Sequence, residues 1–99
     1  MRHNFKNLEI WKRSRALVRV IYEQTNSFPA EEKFGLTLQI RRSAISVPSN
    51  IAEGCGRGTD KQLMQFLNIS IGSLCELETQ IYLTNDLQFI DNQISNDII

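Results

Sequence analysis

The sequence predicts an all-α protein, an antiparallel up-down four-helix bundle formed by one domain. Apolar residues recur every three or four positions over long stretches, which is the period of an amphipathic helix. No stretch alternates polar and apolar residues, and no Asn-Gly or Asp-Gly pair signals a hairpin. Helices joined by short loops pack antiparallel to one another. The predicted helices span about residues 5–26, 29–54, 60–85 and 91–99.

The first predicted helix has an apolar arc around Ile21 and a basic face opposite. Two pairs of opposite charge are four residues apart and are therefore spaced to pair on its surface: Glu9 with Arg13, and Arg19 with Glu23. A basic stripe suits nucleic acid or an acidic partner, and the alternative is a solvated helix face. The candidate nucleic-acid-binding residues, all within "KRSRALVR", are Lys12, Arg13, Arg15 and Arg19.

The second predicted helix starts at Pro29, which suits a first helical turn, and ends at the glycines of "GCGRG". Its apolar positions keep their phase across Pro48, so we expect one continuous helix that is kinked there. Two apolar faces lie roughly 120° apart on it, counting about 100° per residue. One face suffices for packing inside a bundle, so the second predicts contact with another subunit; the alternative is a central helix in a monomer. The first face is Leu36, Ile40, Ala44, Val47 and Ile51, and the second is Phe34, Leu38, Ile45 and Ala52.

A polar stripe also runs along one side of the second helix. If helices 2 and 3 are antiparallel, Arg41 or Arg42 should pair with Glu76, with Gly72 and nearby serines permitting close approach. Asn50 and Glu53 should be at least partly buried there. The stripe is either a structural network or a cavity for a ligand or phosphate, although "GCGRG" lacks the lysine and hydroxyl of a P-loop. The predicted polar interface network is Arg41, Arg42, Ser46, Asn50, Glu53, Arg57 and Glu76.

A capping signal predicts where the third helix starts, and the spacing of apolar residues near the end of the chain predicts a fourth helix. Thr59 and Gln62 fit a capping box at the start of the third helix. Near the end of the chain, Ile94 and Ile98 lie one turn apart. A helix that stops at Ile99 after barely two turns is not stable alone, so the sequence predicts a truncated fourth helix.

Composition disfavours several functions. The one histidine, His3, has no Ser/Asp or Cys arrangement around it, so we expect no enzyme activity, metal or cofactor. Neither a bilayer-length apolar run nor a signal peptide is present, so a cytoplasmic protein without membrane contact is expected. The net charge is zero, but the charges are unevenly distributed. Residues 1–58 hold ten Lys/Arg and five Asp/Glu, whereas residues 59–99 hold one Lys and six Asp/Glu.

Two segments, "LTLQIRRSAISVPSNIAEGCGR" and "GSLCELETQ", resemble the four-helix-bundle family of 23S ribosomal RNA intervening-sequence proteins. The similarity extends from "FKNLEIWKRS" to Leu83. Family members are similar in fold to the accessory protein of diversity-generating retroelements, a strongly basic homopentameric barrel that binds nucleic acid and a reverse transcriptase. The resemblance implies a homo-oligomer, specifically a pentamer, that binds RNA or DNA. The alternative is a structural or protein-adaptor oligomer that does not bind nucleic acid.

Overall fold

The computed structural model describes residues 3–90. Three α-helices lie within this range: α1 spans Glu9–Thr25, α2 spans Leu36–Gly56 and α3 spans Asp60–Asp86. No strand occurs in residues 3–90, which confirms the all-α prediction for that part of the chain. The fourth helix predicted over residues 91–99 lies outside the described range.

The first helix begins later than predicted. Residues Phe5–Asn7 form a single 3-10 turn, and Leu8 is extended, with φ −77° and ψ 129°. The Asn4 side-chain oxygen accepts a hydrogen bond from the Lys6 amide at 3.2 Å. This bond caps the 3-10 turn, and the extended Leu8 separates the turn from α1, which starts at Glu9.

The second helix also begins later than the sequence indicated. Pro29 is extended at ψ 139° and precedes only a 3-10 turn, Ala30–Glu32. The Glu32 carboxylate then accepts a hydrogen bond from the Leu36 amide at 3.1 Å, which satisfies a free donor at the start of α2. From Leu36, α2 continues unbroken through Pro48 to Gly56. The kink at Pro48 stays a prediction.

The third helix begins where the capping signal places it. Thr59 is the N-cap of α3, and its hydroxyl oxygen accepts from the Gln62 amide at 3.2 Å. The Gln62 side chain lies 3.2 Å from the same hydroxyl, so it does not cap the Thr59 backbone as a complete capping box would.

The core runs along α2, because both α1 and α3 pack against that helix. The first apolar face of α2 provides its centre: Ile40, Ala44, Val47 and Ile51 are each no more than 4% exposed. Burying each of the isoleucine and valine side chains stabilises the fold by roughly 1.5–3 kcal/mol. The other fully buried apolar side chains include Ile21 from α1 and Leu77 and Ile81 from α3.

The helices α2 and α3 approach closely at Gly54 and, as predicted, at the serines, where Ser70 Oγ donates to the Val47 carbonyl at 3.0 Å; the predicted role of Gly72 is wrong. A Cβ atom built on Gly54 would lie 2.9 Å from Phe66 Cβ and 3.2 Å from the Leu63 carbonyl oxygen. A Cβ on Gly72 would meet nothing within 4 Å. Helix contact at the turn between α2 and α3 therefore depends on Gly54.

Across residues 3–90, no helix combines the length and the apolar character that a membrane span requires.

Candidate nucleic-acid and subunit interfaces

The basic residues of α1 are exposed, and most of them are unpaired. Arg19 Nε lies 3.2 Å from Glu23 Oε1, as its spacing predicted. The predicted Glu9–Arg13 pair does not form, since the other ion pair within residues 3–90 joins Glu53 to Arg57. Lys12 and Arg13 therefore carry charge that no acidic residue in residues 3–90 neutralises.

The four candidate cations do not share one surface. The Arg15 guanidinium lies over the Trp11 ring, 5.5 Å from its centroid, at a groove between α1 and α2. Arg13 lines a second groove, between α1 and α3. Lys12 and Arg19, which lie within about 20° of each other around the helix, thus form its basic face, with Arg13 and Arg15 on either side of it.

The groove between α1 and α2, here called the α1/α2 groove, has a volume of about 370 Å³. Its walls are mainly apolar, and they include the second apolar face of α2. Ile45 in this wall is 40% exposed, and Phe34, on the same face of the sequence pattern, is 82% exposed. Ile45 on α2 and Phe34, which precedes α2, therefore lie outside the core, whereas Leu38 and Ala52 of the same predicted face are partly buried. The groove is lined chiefly by Trp11, Arg15, Val18, Ile45, Pro48 and Ala52.

The groove between α1 and α3, here called the α1/α3 groove, has a volume of about 440 Å³. It exists because α1 and α3 both pack on α2, which leaves their facing sides apart. Ile10 on α1 and Ile71 on α3 are 52% and 56% exposed along it. Leu17, Leu67 and Leu74 complete its apolar lining.

A hydrogen-bonded polar network joins α2 to α3. Ser43 Oγ donates to Glu76 Oε1 at 2.6 Å, and the hydroxyls of Ser46 and Ser73 lie 2.8 Å apart. Asn50 Nδ2 donates to Ser46 Oγ at 2.9 Å and to the Ser46 carbonyl at 2.8 Å. The network links side chains of α2 and α3 through direct hydrogen bonds, which is typical of a structural role.

The predicted pair between Glu76 and an arginine is wrong. Arg41 turns to α1, where its Nε donates to Thr25 Oγ1 at 2.8 Å and its guanidinium lies 4.4 Å from the centroid of the Tyr22 ring. Arg42 is exposed and forms no ion pair within residues 3–90. Residues 41 and 43 project about 200° apart on a helix, so Ser43, not Arg41, faces α3.

Two other members of the predicted network lie at the end of α2, away from the serines. Arg57 Nη2 donates to Glu53 Oε1 at 2.8 Å, and the two side chains are 44% and 52% exposed. Arg57 also lies over Phe66, 4.9 Å from the ring centroid. Asn50 is partly buried as expected, but the expected burial of Glu53 is wrong.

Cys55 is a free cysteine buried in the core. Burial raises the pKa of the Cys55 thiol, which makes it a poorer nucleophile. In the region from 3 to 90, no three His, Cys, Asp or Glu side chains gather as a metal site would require. What the described surface offers is contact area: two apolar grooves and exposed cations.

These features define a small all-helical protein, within residues 3–90, with two apolar grooves and exposed cations at its surface. The chain matches the 23S rRNA-intervening sequence protein family over residues 6–99. It belongs to that family, as its motifs indicated. No curated protein matches the chain.

Proposed function

We propose that this protein is a non-enzymatic, cytoplasmic homo-oligomer, a pentamer by family resemblance, that binds RNA or DNA through the exposed cations of α1. The proposal rests on the exposure of Lys12 and Arg13 and on their lack of an acidic partner. Both are exposed, and neither is paired with an acidic residue in the range from 3 to 90. Cations in this state can neutralise phosphates and release the counterions bound to them.

Zero net charge does not oppose this function, because the charges are separated along the chain. The helix α1 holds Lys12, Arg13, Arg15 and Arg19 against two acidic residues, whereas α3 holds one lysine against four. In an oligomer the basic face of α1 repeats, so each later phosphate contact forms at high effective concentration. Weak contacts of single subunits then add up to useful affinity.

The test compares two triple charge reversals. The first, Lys12→Glu/Arg13→Glu/Arg19→Glu, removes the basic face of α1. The matched control, Lys33→Glu/Arg42→Glu/Lys61→Glu, makes the same change in net charge at exposed cations elsewhere. Circular dichroism and light scattering first establish that both variants keep the fold and mass of the parent.

Binding to an RNA and a DNA oligonucleotide is then measured at two salt concentrations. The parent and the control should bind at low salt and lose affinity steeply as salt rises, since each neutralised phosphate contributes to the slope. The α1 variant should lose most of its binding. Equal binding by all three proteins would show that the basic face of α1 is only a solvated surface.

The second candidate function is a structural or adaptor oligomer that binds another protein. The exposed Phe34 favours it, because a side chain of this size with 82% exposure is more typical of a protein contact than of a phosphate contact. This function takes the lead if the parent binds neither RNA nor DNA at low salt.

A fourth helix would complete the bundle proposed from the sequence. The α1/α3 groove is the position it would occupy, because the apolar sides of α1 and α3 both face this groove. This arrangement would leave the α1/α2 groove open.

A further inference from the structure

We propose that the nucleic acid bound by this protein is single-stranded and that its unpaired bases stack along the α1/α2 groove. The inference rests on the nucleic-acid binding proposed above, and it specifies the form of the ligand and the place of its bases. It needs more than the basic face of α1, because exposed cations attract the phosphates of a duplex and of a single strand alike.

Two matched stripes of side chains face each other across this groove. Each stripe has four residues spaced by four, three and four positions, so that they lie on one side of their helix. Six of the eight residues line the groove, and the last two meet one turn further along the helices. Neither stripe contains an acidic residue, which favours a polyanionic ligand. The stripes are Trp11, Arg15, Val18 and Tyr22 on α1, and Arg41, Ile45, Pro48 and Ala52 on α2.

At one end of the stripes, a guanidinium is fixed over an aromatic ring. The Arg41 guanidinium lies 4.4 Å from the centroid of the Tyr22 ring. Its Nε donates to Thr25 Oγ1 at 2.8 Å, and its Nη2 donates to Asn26 Oδ1 at 3.2 Å. These three contacts hold the flat group in place before a ligand arrives, so little conformational entropy is lost when a second flat group stacks on it. Tyr22 is 38% exposed, so a ligand can reach this stack from solvent.

At the other end, Arg15 forms a second stack. Its guanidinium lies 5.5 Å from the centroid of the Trp11 ring, and the Phe5 ring meets the Trp11 ring in an edge contact at 5.1 Å. Cation–π pairs occur roughly once per 70–80 residues, whereas this flank of the protein holds two. Trp11 and Tyr22 are 11 positions apart, which separates the two stacks by about 16 Å along α1. The groove thus has a cationic platform at each end.

A nucleobase has the properties that these platforms would bind. Every base has a flat π-face, and bases stack on guanidinium planes as well as on aromatic rings. Between the two platforms, Val18 and Ile45 add apolar contact, and Ile45 is 40% exposed. Lys12 and Arg19 each follow a stripe residue and project about 100° further around α1. The bases therefore lie in the groove while the phosphates meet the basic face beside it.

Only unpaired bases can use these platforms. In a duplex each base is stacked between neighbours about 3.4 Å away, and only the edges of the bases are open in the grooves. The platforms are about 16 Å apart, so each takes a separate base of an extended strand. A duplex would contact only the cations of the basic face. A preference for the single strand therefore reports stacking, whereas the affinity for a duplex reports charge.

The test separates stacking from charge with two variants. Arg15→Lys keeps the positive charge but removes the planar group. Its control, Arg42→Lys, makes the same change at an exposed guanidinium that lies over no ring within residues 3–90. Tyr22→Ala removes the ring beneath Arg41, and its control is Tyr82→Ala at an exposed tyrosine of α3. Circular dichroism and light scattering first compare the fold and mass of all four variants with those of the parent.

Binding is measured with a uridine-only RNA strand and a thymidine-only DNA strand, each alone and as a duplex with its complement. The parent should bind the strands more tightly than the duplexes at the same salt concentration. Each stacking variant should lose roughly 5- to 150-fold in affinity for the strands, which is the effect of one stacked base. Its salt dependence should stay that of the parent, because no charge has changed. The affinities for the duplexes, and all affinities of the two controls, should match those of the parent.

Fluorescence gives an independent signal, because Trp11 is the one tryptophan of the chain. A base stacked on Arg15 lies close to the indole. The single strands should therefore change the emission of Trp11, and the duplexes should leave it as it is.

The other results overturn the inference, and the proposed function falls with it in only one case. Equal affinity of the parent for strands and duplexes, unchanged Trp11 emission, or full strand affinity in both stacking variants would show that the bases stay outside the groove. Binding through the basic face would still stand. A stacking variant with a lower mass than the parent would show that another subunit covers the groove. Binding to none of the four probes would remove the proposed function itself.

Discussion

Two helical glycines provide a matched test of how closely α2 and α3 pack. Both lie inside helices, so replacing either with alanine should gain about 1 kcal/mol of unfolding free energy from helix propensity. At Gly72 nothing opposes this gain, because an added Cβ meets no atom within 4 Å. The Gly72→Ala variant should therefore be more stable than the parent by up to about 1 kcal/mol.

At Gly54 the same added methyl group would overlap its neighbours. Phe66 Cβ, at 2.9 Å, and the Leu63 carbonyl oxygen, at 3.2 Å, belong to or adjoin the backbone of α3. Neither can move without shifting that helix, and overpacking of this kind typically costs about 1–3 kcal/mol. After the propensity gain is subtracted, Gly54→Ala should lose roughly 0–2 kcal/mol relative to the parent. The two variants should thus differ by about 1–3 kcal/mol.

Chemical unfolding followed by circular dichroism measures this difference. All three proteins are compared at one chain concentration, because oligomerisation couples stability to concentration. The slope of the unfolding free energy against denaturant concentration should be the same for the three proteins. A shifted midpoint then reports a change in stability alone. Equal midpoints for Gly54→Ala and Gly72→Ala would refute the close contact between α2 and α3 at Gly54.

Two further predictions concern titration and the polar network. Burial raises the pKa of Cys55, so its contribution to stability is complete below the unfolded value, about 8.5, and falls as pH rises above that value. The unfolding free energy, measured from neutral to alkaline pH, should decline in the parent and decline less in Cys55→Ala. Identical declines in the two proteins would exclude the buried thiol as the cause. Glu76→Ala should cost only about 1 kcal/mol, because an exposed carboxylate loses one hydrogen bond from Ser43. Measured at the same chain concentration as the parent, a loss above roughly 3 kcal/mol would instead indicate a buried ion pair.

Local patterns in the sequence were enough to identify the helices and their apolar faces. Ile40, Ala44, Val47 and Ile51 keep a helical period across Pro48, and the structure buries all four on one continuous helix. Thr59 marks the start of α3 through a bond within its own turn. Such features depend on neighbours a few residues apart, and these are visible in the sequence.

The start of α2 shows where local patterns were insufficient. Pro29 and the acidic residues after it resemble a helix start, but they form only a 3-10 turn. The Glu32 carboxylate instead reaches the Leu36 amide, and the helix begins there. Both outcomes satisfy the local preferences, so the preferences alone could not choose between them.

The pairing between helices was decided by tertiary structure alone. An antiparallel register places Arg41, Arg42 and Ser43 equally near Glu76 along the helix axis, but these residues project in three directions about 100° apart. The rotation of α2 between its two neighbours turns Arg41 to Thr25 on α1 and Ser43 to Glu76 on α3. That rotation results from packing many side chains at once. The sequence by itself therefore determined that residues 3–90 are helical and which face of α2 is buried, while the tertiary structure decided where α2 begins and which residues of neighbouring helices meet.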